Sequence, residues 1–182
     1  MVSVPEAPLR ETRYGLAPDG DGWFVVNARD SRWRESPPFA SWADFEGKKR
    51  FPQLGFSLYV LYAGQPMSLY HRERHQENFL VLSGECVLIV EGEERKLGPW
   101  DFFHCPGGTA HTIVGAGDAP SLVVGVGARG GPRGYVYDPD ATAAAYDAAV
   151  VEETTDAGEA YARFPPGMRS RARDEWFGRG GS

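Results

Sequence analysis

The stretch GQPMSLYHRERHQENFLVLSG, residues 64–84, decides how this chain is read. His71, Glu73, His75 and Glu77 occupy every second position within it. Alternate side chains of an extended strand share a face, so the spacing predicts four metal-ligating residue types on one side of one strand. Its end, FLVLSGECVLIVEG (residues 79–92), is aliphatic and β-branched around Ser83-Gly84, which predicts two strands about a turn. Further on, PGGTAH (residues 106–111) puts a turn before a His that re-enters a strand. Were the two patches to face each other inside a barrel, imidazoles and carboxylates would converge on one point.

Working outward, more short strands are expected at 56–62, from 68–71, at 95–97 after a hairpin tip at 91–94, and at 101–105, 110–114 and 121–126. Short strands separated by turn signals suggest a barrel or sandwich. Residues 1–22 read as a loop or arm, WFVVN (23–27) as a strand, and 28–51 as irregular chain hugging the surface. ARGGPRG (128–134) reads as a linker. Asp140 is placed to cap an Ala-rich helix reaching about Val150, and Asp156 a second reaching about Arg163. Phe164-Pro165-Pro166 stops that helix, and the Arg- and Gly-rich end from Met168 reads as a mobile tail. The expected division is an N-terminal arm with a strand packed on the barrel (1–55), a barrel core (56–127), and a linker with short helices and a flexible tail (128–182).

Bulk properties narrow the function. A chain of 182 residues suits one domain with a sizeable core. Its net charge of −6 makes it a poor partner for a phosphate backbone, so no nucleic acid is expected. No apolar run approaches the roughly 20 residues of a membrane helix, and residues 1–16 lack the apolar core of a signal peptide. Two cysteines, Cys86 and Cys105, do not make a disulfide framework, and Cys105 is expected to be a buried thiol. A cytoplasmic location is the expectation.

His and carboxylate donors together suit one divalent ion of the Zn, Fe, Mn, Ni or Cu kind. Two His and one carboxylate leave coordination positions open for a substrate. A ligating imidazole also needs a partner on its other nitrogen, for which Glu73, Gln76, His104 and Tyr70 are candidates. The aromatic residues between 56 and 103 are expected mainly in the core.

The two patches resemble the paired motifs of the cupin superfamily. The first has a Gly, His-x-His, a Glu after three or four residues, and a Gly after six more; His71, Glu77 and Gly84 fall at that spacing. The second, Pro-x-Gly then His after two residues, matches Pro106, Gly108 and His111. The resemblance extends to bacterial cupin-domain proteins of unassigned function. It implies an all-β double-stranded β-helix, or jelly-roll barrel, with an N-terminal arm and short C-terminal helices. It further implies metal ligands His71, Glu73, Glu77 and His111, and a homodimer; residues 23–51 are placed to cross to a partner and cover its sheet edge. The second His of the first motif is here Glu73. Either Glu73 ligates through oxygen, or it turns away and His75 or Gln76 substitutes; the motif spacing favours Glu73. The expected function is an enzyme acting on a small molecule at the metal, of isomerase, lyase or dioxygenase type, with Glu73 or His75 moving a proton. The alternative is a non-catalytic module that binds or senses a small molecule.

Overall fold

The computed structural model describes residues 3–132 and 134–178. A hairpin of β1 (Leu9–Thr12) and β2 (Gly15–Pro18) precedes β3 (Arg32–Ser36), β4 (Phe39–Ala43) and β5 (Leu54–Leu61). The central run is β6 (His71–Glu73), β7 (Glu77–Ser83), β8 (Glu85–Val90), β9 (Glu93–Leu97), β10 (Phe102–Cys105), β11 (Ala110–Ala116) and β12 (Ser121–Ala128). After it come β13 (Tyr135–Tyr137), α1 (Ala141–Ala144), α2 (Ala157–Ala160), β14 (Met168–Arg171) and a 3-10 turn, Asp174–Phe177.

The strands form a seven-stranded sheet, β10-β7-β12-β5-β4-β3-β14, and a five-stranded sheet, β13-β6-β11-β8-β9, with every named pairing antiparallel. From β5 to β8 and again from β9 to β14 each strand lies in the other sheet from the one before it, giving the all-β jelly-roll barrel. Leu61, Phe79, Val81, Leu88, Ile113 and Val123 fill the space between the sheets. Alternation follows from this on β12, where Val123 points inward and Val124 joins an outer cluster around Trp33 and Trp176. β11 is buried on both faces because residues around α1 cover its outer side: Val114 packs with Tyr70, Ala143 and Ala148. At Gly84, between β7 and β8, φ is +76° and a Cβ would stand 2.6 Å from Ser121 Cα, so the turn requires glycine.

Several expectations change. Residues 23–27 form no strand; within them only Trp23 makes a bridge, to Glu6. Residues 28–51 are not irregular throughout, since β3 and β4 extend the chain's own seven-stranded sheet beside β5. Asp140 does cap α1, accepting from Ala143 N at 2.8 Å, but the helix stops at Ala144. Asp156 caps α2 through Gly158 N, and that helix stops at Ala160. Met168, read as the start of a mobile tail, instead opens β14, which pairs with β3 along its length. Beyond it, Trp176 packs on Trp33 with ring centroids 4.8 Å apart. Burying two indoles together outweighs the polar composition around them.

Candidate metal centre

β6 and β7 lie in different sheets, with a bend at residues 74–76 between them. The alternation from His71 to Glu77 is therefore split: His71 comes from one wall of the barrel and Glu77 from the other. β11 supplies the third member, His111, directly opposite His71 in the β6–β11 pairing. One donor atom from each of His71, Glu77 and His111 lies within 4.8 Å of the others. Ligand atoms about 2.1 Å from a common ion stand at most about 4.2 Å apart, so a small inward movement would bring all three donors onto one ion.

The imidazoles are held in one orientation. His71 Nδ1 lies 2.7 Å from Leu69 O, and His111 Nδ1 lies 3.1 Å from Thr109 O. With Nδ1–H donating to a carbonyl in both rings, each Nε2 is left to face the centre, the tautomer a metal requires. Cys105 Sγ lies 3.4 Å from His111 Nδ1, a buried contact behind the ring, and Phe79 and Phe103 pack against the same imidazole.

His111 Nε2 stands 3.4 Å from Glu77 Oε2. That is an ion-pair distance but not a formed hydrogen bond, and Glu77 Oε2 is buried without a hydrogen-bond partner. Burial alone would lower the His111 pKa; Cys105 and the Glu77 carboxylate reverse that and raise it to about 10. Glu77 is driven up by burial and, more strongly, down by His111 and His71, so its pKa ends below the usual value. Burial lowers the His71 pKa, and the neighbouring His111 charge lowers it further. The group thus presents an imidazolium, a carboxylate and a neutral imidazole. A buried carboxylate oxygen lacking a donor and two oriented imidazoles fit a divalent transition-metal ion.

Glu73, expected among the ligands, lies outside this group. It sits a two-residue repeat beyond His71 along β6, and its carboxyl hydrogen-bonds to Glu77 instead. His75, expected as a proton-moving group, falls in the bend after β6. It lines a smaller cavity of about 270 Å³ with Arg129, its Nε2 buried and unpartnered. Tyr70, Gln76 and His104 are engaged elsewhere or exposed: Tyr70 Oη accepts from Gly92 N, and His104 pairs with Asn78. Backbone carbonyls take the orienting role proposed for them.

The group lies in the wall of a chamber of about 560 Å³, within the range of small-molecule sites. Tyr59 and Phe79, expected in the core, line it, and both lean over Gly125, where a Cβ would stand 2.9 Å from the Tyr59 ring. Tyr135, Tyr137, Tyr161 and Phe164 also line it and were not anticipated. The tyrosines of YVY, two residues apart on β13, carried a legible signal, because that spacing puts both on one strand face.

Comparison with known proteins agrees with this architecture. Residues 57–127 match the family model described as a cupin domain. A 43-residue segment is 37% identical to quercetin 2,3-dioxygenase of Bacillus subtilis (strain 168); it makes up 24% of this chain and spans only 13% of that protein's length. The polyketide cyclase RemF from Streptomyces resistomycificus superposes with a TM-score of 0.53 at 14% identity, covering 61% of this chain and 83% of its own, a likeness of fold. A cupin-superfamily sugar phosphate isomerase from Silicibacter pomeroyi DSS-3 gives a TM-score of 0.49 at 24% identity, covering 83% of this chain and 86% of that one. Among the described residues no helix is long and apolar enough to cross a membrane. Two facing sheets and the match over residues 57–127 thus show a cupin-like domain in this part of the chain.

Proposed function

We propose that the chain binds one divalent transition-metal ion through His71, Glu77 and His111 and acts there as an enzyme on a small organic molecule. The observation that carries this is the position of a two-His, one-carboxylate group in the wall of a 560 Å³ chamber. Three protein donors leave coordination positions open toward that space, whereas a structural site closes its shell with four.

His71 and His111 would hold the ion through Nε2, and Glu77 through a carboxylate oxygen. Bound there, a divalent ion supplies Lewis acidity toward a substrate oxygen. Glu73, which lines the chamber and hydrogen-bonds to Glu77, is placed to accept or return a proton from bound substrate. Tyr161 Oη accepts from Leu69 N at 3.0 Å, which leaves its own proton to donate. Burial lifts the Tyr59 and Tyr161 hydroxyls to about 12, so both stay neutral at pH 7. The aromatic walls exclude water around the bound molecule.

Elemental analysis of the purified chain and of Glu77→Gln tests the reading. One equivalent of metal in the wild type and a clear deficit in the variant are expected. Equal, substoichiometric metal in both proteins refutes it.

A further inference from the structure

The chamber's chemistry narrows what it takes, and this step rests on the metal-site reading above. Its walls carry two carboxylates, Glu73 and Glu77, while no Lys or Arg appears among the described residues that line it. Two nearby guanidinium groups are committed elsewhere. Arg72 Nε donates to Asp138 at 2.8 Å, and Arg129 pairs with Glu46 and donates to Phe51 O at 2.8 Å. A phosphate ester entering this space would meet two acidic side chains and no Lys or Arg among the described lining residues, so its charge would have to be offset at the His71–Glu77–His111 end alone.

The polar tips of the wall are also largely spent on the protein itself. Thr112 Oγ1 donates to Ser68 O at 2.8 Å, while Tyr161 Oη takes the Leu69 N–H and keeps one proton to donate. Ser68 Oγ lies against His71 Nδ1, Tyr59 bonds to Ser57, and Glu73 bonds to Glu77. A sugar brings many hydroxyls, each needing a partner once buried, and few are left here. What the wall offers in quantity is ring surface. Phe39 contacts Phe164 at 4.7 Å and Tyr161 at 5.2 Å between centroids. Tyr161 contacts Tyr137 at 5.7 Å, and Tyr137 contacts His71 at 5.8 Å. Rings thus run unbroken from the Phe164 rim to the candidate metal ligands.

We infer that the substrate is an uncharged, planar aromatic compound. It stacks on this belt with one oxygen substituent directed at the His71–Glu77–His111 end, and phosphorylated sugars are refused. Offset and edge contacts with the rings supply the affinity, and the single oxygen supplies the orientation.

Calorimetric titration of the full-length, metal-loaded protein with 2-naphthol, glucose and fructose 6-phosphate tests this, with metal content measured on the same sample. 2-Naphthol is expected to bind at least about 100-fold more tightly than either sugar. Phe164→Ala, half-buried at the rim, is expected to weaken it about tenfold with metal content unchanged. Tighter binding of fructose 6-phosphate or glucose in a protein that holds its metal overturns the substrate class and leaves the metal site standing. A protein that holds no metal overturns the metal-site reading instead. Naphthol binding unaffected by Phe164→Ala, in a variant with wild-type circular dichroism, overturns the placement on the belt.

Discussion

His71 and His111 face each other across the β6–β11 pairing with ring centroids 5.2 Å apart, each imidazole fixed by a backbone carbonyl at Nδ1. Neither ring has to change its tautomer for its Nε2 to meet a cation. His71→Ala or His111→Ala is therefore expected to lower metal affinity at least about tenfold, the scale on which even orienting partners act. Competition with a chromogenic chelator measures it. Retention of wild-type affinity in both variants would remove these two residues from the site.

Metal uptake should depend on pH with a predictable sign. The His111 pKa is raised to about 10, so below that pH the metal must displace its proton. Affinity is expected to climb by about one decade per pH unit between pH 6 and 8. A flat profile would show that His111 is already neutral in the metal-free chain.

The same pair sets a stability window for the metal-free protein. His111 is raised above its ordinary 6.5, so its contribution is complete below 6.5 and is lost as pH rises through about 10. Glu77 is depressed below its ordinary 4.5, so its contribution is present above 4.5 and is lost as pH falls through the lower folded value. His71, lowered by burial, subtracts stability as pH falls below 6.5, so urea midpoints of the chelator-treated protein should peak at about pH 6.5 and decline on both sides.

Gly84→Ala tests the turn between β7 and β8. The left-handed backbone there costs a non-glycine residue about 1–2 kcal/mol before any clash. The clash is with Ser121 backbone, which cannot simply rotate away. A fall in Tm of roughly 5 °C or more is expected by calorimetry.

Trp176→Ala tests the C-terminal segment. Trp176 is 2% exposed and packs at a tilt against a fully buried Trp33, so truncation should cost about 3–5 kcal/mol. Denaturant unfolding measures the loss. A cost below about 0.5 kcal/mol, the scale of ordinary surface substitutions, would mean that the segment contributes little to the fold.

Strand content was legible wherever turn chemistry bracketed a hydrophobic run. Ser83-Gly84 separates β7 from β8 because glycine there is a local backbone requirement. Residues 28–51 and 168–171 were harder. Their strands are held by pairing with distant partners, β4 with β5 and β14 with β3, and short polar or aromatic segments carry little period of their own. The helices after Asp140 and Asp156 were marked at their starts by a side-chain cap but not at their ends, where tertiary packing decides.

By itself the sequence grouped His71, Glu77 and His111, together with Glu73, as one expected site, because motif spacing constrains residues that must act together. It also determined that the surrounding chain is a jelly roll. Only the tertiary structure decided that a bend after β6 puts Glu77 on the opposite wall, leaves Glu73 bonded to it, and turns His75 into another cavity. Alternation along a chain predicts a shared face only while the strand continues, and nothing local to residues 74–76 says that the two sheets divide there.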